Sequence, residues 1–444
     1  MQSPAPAPAP APELAAADRV SRVPTAVLAH VYSFLDMRSH TRLARAARCY
    51  SATARLAAAS PYHIDFIQGP LRSIAHWRPE ALSAARADWD DIRVILGMAS
   101  SLRALSLTTR LEHGALACLS LLTRLNQLDL FVNDNGHRDT LLFAAHLPFL
   151  TRVSTSLGFA EHIPATVQSL TMGDPRDDTE FLQRLPALTQ LHTRANWTER
   201  EMFLIGGACP QLAHFEFDHL TWSHARLVSP GQMAAAFPKL DVLRCTVRDH
   251  HTNEAGPLAE LVAAISSLRD LTIGPGSTST VIFCFPPRLR RLDLSGNALH
   301  DAHVACISQL LDLRALSLNN CKLPFKVERL SALTALTELG LAGCNLAKAA
   351  VLPRIGPLLS LDLGGENLVP SNLAAAFPSL AALYLPASRS RAYIHSTMRP
   401  PPSLRHVFTS DPHLCDDLAA HGIAVRPLPP TTPGFPVPAL AVRL

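Results

Sequence analysis

Between Leu289 and Leu346 the apolar positions recur in one order: Leu, two residues, Leu, one residue, Leu, two residues, Asn or Cys, one residue, Leu. The successive copies carry Leu292, Leu294, Asn297 and Leu299, then Leu316, Leu318, Cys321 and Leu323, then Leu339, Leu341, Cys344 and Leu346. Leucines two apart point to one face of a short strand, so each copy predicts a strand with Leu292 and Leu294, or their equivalents, inward and Asp293 outward. One such strand cannot bury its leucines alone, whereas stacked copies paired in a parallel sheet share a continuous core. Where the strand ends the chain must turn. There Asn297 can stay inside by hydrogen bonding the backbone of the turn, and Cys321 and Cys344 can replace it as small, weak donors.

The ladder extends in both directions. It opens at Leu102, Leu105 and Leu107, continues through Leu125, Leu128 and Leu130, and has weaker copies from Leu150, Val167, Leu188, Leu212, Leu240 and Leu268. Beyond the central copies it resumes at Leu358, Leu361 and Leu363, then at Leu380, Leu383 and Leu385, with a degenerate copy at Leu404. Between strands a second phrase recurs, FAAHLPFL, FLQRLPAL, MAAAFPKL and LAAAFPSL, in which apolar residues at helical spacing meet Pro148, Pro186, Pro238 or Pro378. A short helix stopped before the next strand is the expectation. The whole pattern resembles the leucine-rich repeat. That resemblance implies an α/β solenoid over residues 102–410, parallel strands on a concave side and short helices on the convex side.

The flanks read differently. Residues 1–19 alternate Ala and Pro and predict an extended tail with nothing to bury. Residues 61–101 lack a clear ladder and are expected to form a helical connection. After Ser410 the run HLCDDLAAHGIAV predicts a closing helix and strand, and the Pro-rich tail from Arg426 completes a segment 411–444. At 444 residues the chain is too long for one compact core and suits a solenoid. A formal net charge of +4 on that length gives no argument for nucleic acid or an acidic membrane. No apolar run is long enough for a membrane span, and the first residues lack an apolar signal core. With nine cysteines and no CxxC pair, a reducing compartment is expected, cytoplasmic or nuclear.

From Arg22 the run VPTAVLAHVYSFLDMRSHTRLARAARCY places apolar residues at helical spacing, with Pro24 where a first turn tolerates a missing N–H. Residues 20–60 thus predict a small helical unit that needs a partner surface. This run resembles the F-box: Pro24, Leu28, Val31, Tyr32, Phe34, Leu35, Asp36 and Leu43 match by position and type. Val23 replaces the usual Leu, His40 stands where Leu is common, and Tyr50 takes the place of Trp. The resemblance implies that Pro24, Leu28, Val31, Phe34, Leu35 and Leu43 dock on a Skp-type adaptor of a cullin-RING ubiquitin ligase, with no cofactor. The same residues also fit a helical cap closing the open end of a solenoid.

No catalytic constellation stands out. GPGSTST from Gly274 to Thr280 lacks the Lys of a phosphate loop, His250 and His251 lack further metal ligands, and His300 and His303 are expected on a solvated surface. Arg110 and Arg138 follow ladder strands, but no motif supports a GTPase-activating reading. The concave face is the natural binding surface, because its side chains project between the buried leucines and stack from repeat to repeat. The ladder puts Asp129, Phe131, His192, Arg194, Glu216, Asp218, Arg244, Arg291, Asp293, Ser317, Asn319, Asp362 and Tyr384 there. A protein target is expected. The sequence therefore reads as a substrate-recognition subunit of a ligase, or as a protein-binding scaffold without a ligase role.

Overall fold

The computed structural model describes residues 63–67, 80–87, 89–109, 116–132, 138–156, 162–173, 180–221, 228–246, 256–275, 284–321, 327–344, 352–364, 373–385, 401–408 and 423–426. The Ala/Pro tail, the F-box-like segment with Pro24, Leu28, Val31, Phe34, Leu35 and Leu43, Arg110, the His250–His251 pair, most of the Gly274–Thr280 loop and the Pro-rich tail lie outside these residues. The chain divides into two compact units, Met1–Leu188 and Thr189–Leu444.

Among the described residues of the first unit six strands follow one another: β1 (His63–Ile67), β2 (Ala81–Ala87), β3 (Ala104–Thr109), β4 (Gln127–Val132), β5 (Arg152–Thr155) and β6 (Ser169–Met172). Each pairs in parallel with the next. Two of them overturn the expectation of a helical connection at 61–101. Leu82 stands opposite Leu105 and Ala84 opposite Leu107, so β2 is a ladder strand whose second inward leucine is Ala. Both are buried. A leucine pattern misses such a strand, although a parallel neighbour supplies its hydrogen bonds whatever the side chain. Helix α1 (Trp89–Gly97) is the helical part of that segment and buries Ile92 and Ile95.

Among the described residues the second unit carries eleven strands: β7 (Gln190–Thr198), β8 (His214–Thr221), β9 (Val242–Thr246), β10 (Asp270–Ile273), β11 (Arg291–Asp293), β12 (Ala315–Ser317), β13 (Glu338–Gly340), β14 (Ser360–Asp362), β15 (Ala382–Tyr384), β16 (His406–Phe408) and β17 (Ala424–Arg426). They pair in parallel in chain order. Leu292, Leu316, Leu339, Leu361 and Leu383 stand opposite one another strand by strand, all at most 2% exposed. Arg426 belongs to this sheet, not to an extended tail.

The turn after each central strand carries the expected inward donor. Asn297 is 1% exposed and its Nδ2 donates to the carbonyls of Ile273 and Leu294, each at 2.9 Å. Cys321 donates to the Leu294 carbonyl at 3.1 Å and Cys344 to that of Leu318 at 2.9 Å. Each side chain thus ties its own turn to the strand exit of the preceding repeat. One residue earlier the backbone has positive φ, at Gly296 (80°), Asn320 (57°) and Gly343 (68°). Glycine and asparagine are the residues that tolerate this conformation.

The return segments fill the opposite side of each strand. The phrases ending in Pro148 and Pro186 wind as 3-10 turns, Arg138–His146 and Glu180–Arg184, while those ending in Pro238 and Pro378 form α-helices. The described α-helices of the second unit are α2 (Glu199–Ala208), α3 (Pro230–Ala236), α4 (Gly256–Ala264), α5 (Asp301–Ile307) and α6 (Leu373–Ala376). Thr198 and Glu201 close α2 with a reciprocal cap: Glu201 N–H donates to Thr198 Oγ1 and Thr198 N–H to Glu201 Oε2. Ser229 and Gln232 do the same for α3, with Pro230 at its first position. His303 is not on a solvated surface: it is 1% exposed, and its Nδ1 accepts the His300 N–H at 3.0 Å at the start of α5. His300, at the N-cap, is exposed as expected, whereas His303 shares the inward face of the helix with Val304 and Ile307.

Candidate functional site

Strand residues that do not face the leucine core line the other face of the second unit's sheet, polar toward β7 and closed by the buried Ala382, Tyr384 and Phe408 toward β16. The register aligns them in rows. One runs His192, Glu216, Arg244, Thr272, Asp293, Ser317, Gly340, Asp362, Tyr384, Phe408. Beside it lies His214, Val242, Asp270, Arg291, Ala315, Glu338, Ser360, Ala382, His406. Because neighbouring strands sit about 4.8 Å apart, long side chains in these rows meet across the sheet.

At the β7–β10 end they form a continuous charged ladder. His192 Nδ1 lies 3.1 Å from Glu216 Oε1, and His214 Nε2 lies 3.8 Å from Glu216 Oε2. The Arg244 guanidinium then spans two carboxylates, 3.8 Å from Glu216 Oε2 and 3.8 Å from Asp270 Oδ2. These side chains are between 18% and 37% exposed, so they are partly desolvated yet reachable from solvent. Burial disfavours the Glu216 carboxylate, but hydrogen bonds from His192 and His214 and the charges of His192 and Arg244 outweigh it and hold the group well below the usual carboxylate range. Asp270 goes the other way. Its burial raises it more than Arg244, Arg291 and His214 lower it, and its Oδ1 is enclosed without a hydrogen-bond partner among the described residues.

Other residues placed on this face by the ladder do different work. Asp293 Oδ1 accepts from the N–H and the hydroxyl of Ser295, at 2.9 and 2.5 Å, and Ser295 in turn meets Ser317 at 2.8 Å. Asn319 Oδ1 accepts the Ala342 N–H at 2.8 Å, lying across Gly340, where a Cβ would come within 2.8 Å of that oxygen. Asp362 Oδ1 accepts the Gly364 N–H at 2.8 Å, which opposes without overcoming the upward push of burial on its carboxyl. These three side chains fasten the strand exits. Tyr384 is 7% exposed and stacks on Phe408, ring centroids 4.5 Å apart and planes 8° from parallel. Burial, with Asp362 and Glu338 nearby, raises its hydroxyl. Arg194, Asp218 and Arg291 are exposed.

In the first unit, Phe131 is 41% exposed. Asp129 accepts from Gln127 Nε2 at 3.1 Å, and burial raises its carboxyl against that bond and the Arg152 charge. The structure therefore brings together His192, Glu216 and Arg244 of the expected set and adds His214 and Asp270. Those two occupy the strand position just before the first inward residue. The period of two that selected Arg291 also points to them.

Among the described residues no helix is long and apolar enough to cross a membrane, and no group of three or more His, Cys, Asp or Glu side chains could hold a metal ion. No protein-family profile matches the chain, and no curated protein matches it. Solved structures similar to it include an internalin, inlF, from Listeria monocytogenes (16% identity over 70% of this chain and 82% of that one, TM-score 0.36). A leucine-rich-repeat protein of Leptospira interrogans is 15% identical over 85% of this chain and 98% of its own, with TM-score 0.47. The mouse RP105/MD-1 complex provides a third, at 14% over 72% and 57%, with TM-score 0.43. The assignment of a leucine-rich-repeat fold stands on this chain's own strand register and inward Asn and Cys donors.

Proposed function

We propose that this chain is a protein-binding scaffold whose contact surface includes the charged ladder of β7–β10. The observation that carries this reading is the mutual bracing of His192, His214, Glu216, Arg244 and Asp270. Side chains already held by one another lose little rotamer freedom when a partner arrives, and both charge signs are offered at fixed places. Affinity capture by the full chain, compared with Arg244→Glu and Glu216→Lys variants, tests it. Partners lost in both variants support the ladder, and an unchanged set of partners in both sinks it.

The finer reading joins this scaffold to a ubiquitin ligase: the F-box-like segment docks on a Skp-type adaptor, and the repeats hold a target near the conjugating enzyme. Its support is the match of Pro24, Leu28, Val31, Phe34, Leu35 and Leu43. The contribution would be proximity, with no bond made by this chain. Adaptor recovered with the full chain but not with a Pro24→Ala, Leu35→Asp variant supports it. Target capture that persists while no adaptor is ever recovered leaves the scaffold without the ligase.

A further inference from the structure

Where the chain enters strands β10, β11 and β12, the residue just ahead of each strand is an arginine: Arg269, Arg290 and Arg314. Their backbones are locked in register, with Arg290 N–H donating to the Arg269 carbonyl and Arg314 N–H to the Arg290 carbonyl, both at 2.8 Å. Three like charges are therefore stacked on adjacent strands, an arrangement that is unfavourable unless something neutralises it. One carboxylate does so in part: Asp241, in the same row, lies 3.4 Å from Arg269 Nε. Beside this row Arg269, Arg288, Arg290 and Asp312 line an open pocket of about 270 Å³. That volume is small for a cofactor and suits the head of a single side chain.

We propose that this pocket binds an oxyanion, a phosphate or a carboxylate, carried by a segment of a protein partner. Guanidinium groups present planar donor forks that match both anions, and a cluster of them is a common reader of phosphorylated or acidic segments. Asp241 orients Arg269, while Arg288 and Arg290, both exposed and in no ion pair among the described residues, supply the remaining positive charge. Asp312 opposes the anion and limits affinity. The proposal rests on the scaffold reading for the kind of partner, and it names a surface separate from the ladder residues.

Fluorescence anisotropy on the full chain tests it with four labelled probes: short peptides that are otherwise alike but carry one phosphoserine, a run of aspartates or only serines, and a single-stranded DNA oligomer. The expected result is binding of the phosphoserine peptide, the aspartate peptide or both, with the serine peptide at least about tenfold weaker. Which anionic peptide binds identifies the source of the oxyanion. Charge reversal at Arg288→Glu with Arg290→Glu lowers the anionic affinity by about tenfold or more, Asp312→Asn raises it, and added salt weakens it. Equal binding of the serine peptide, indifference to the double reversal, no anionic binding, or tighter binding of the DNA overturns the proposal. If the double reversal abolishes peptide binding while Arg244→Glu and Glu216→Lys lose no partner, the pocket stands and the ladder reading fails. The opposite pattern removes the pocket alone.

Discussion

At the scale of single residues, chemistry and position can be separated by substitution. Asn297 is the only donor of its kind among the central turns, and it serves two buried carbonyls where Cys321 serves one preceding carbonyl. Asn297→Ala takes the side-chain donor from the Ile273 carbonyl, while the Leu294 carbonyl keeps Cys321, and should cost about 1–2 kcal/mol, read from the urea midpoint. Asn297→Cys should cost clearly less, because a thiol fills the equivalent place one repeat on. The carboxylates make opposite contributions with pH. Glu216 is held below its ordinary value, so its stabilisation is complete above the ordinary carboxylate pKa and is lost as pH falls through the folded value. Asp362 is raised, so stability falls as pH climbs from the ordinary value through the raised one. Asp362→Asn keeps an acceptor for the Gly364 N–H while removing the desolvated charge. It should raise the urea midpoint at about pH 7 and change nothing in acid, where Asp362 is already neutral. A lower midpoint at neutral pH would refute that account. Burial also pushes the thiols of Cys209 and Cys245 up to about 12, which keeps them protonated and unreactive.

Elements add a constraint that no single residue shows. Helices α2 and α3 approach so closely that a Cβ at Gly206 would lie 2.7 Å from Ala236 Cβ and 2.9 Å from its carbonyl oxygen, whereas Gly207 has nothing within 4 Å. Gly206→Ala should therefore destabilise by about 1–3 kcal/mol through overpacking. Gly207→Ala should stabilise by up to about 1 kcal/mol through helix propensity. Thermal unfolding of the two variants checks the pair, and equal shifts would refute the close approach. In the sequence the glycines are adjacent and indistinguishable. Their difference comes from packing between return segments, for which no local pattern exists. Strand β2 makes the same point: Ala84 leaves no leucine signature, yet its register against Leu107 makes it a ladder strand. By contrast the Pro-ended phrases announced their return segments, because the residue before Pro is driven out of helical conformation wherever it sits.

For the whole molecule the governing property is repetition within each unit. A repeat contacts chiefly its neighbours, so removing one complete period should leave a folded, shorter array. Deletion of residues 316–338 brings Leu339 to the place of Leu316 and lets β11 pair with the sequence of β13. Circular dichroism should show a smaller but cooperative unfolding transition. Deletion of 316–326 alone breaks the register and should abolish that transition, since a shift out of phase leaves strands without inward partners. If both deletions behave alike, the stacking account is wrong. The charged ladder and the arginine row lie on separate rows of the same unit, so their variants should act independently on binding.

The leucine spacing by itself determined which strand positions face inward, because a strand alternates sides with every residue and a parallel stack buries only one of them. It also determined the inward Asn297, Cys321 and Cys344 of the central turns, since a donor is needed wherever a strand exit carbonyl is buried. Only the tertiary structure decided which polar side chains meet. His192, Glu216, Arg244 and Asp270 are far apart in sequence and become neighbours through strand register, which depends on the length of every intervening return segment. The same register separates Asp293 and Asp362, fastened to the backbone of their own turns, and Asn319, fastened to that of the next repeat, from side chains left open to a partner.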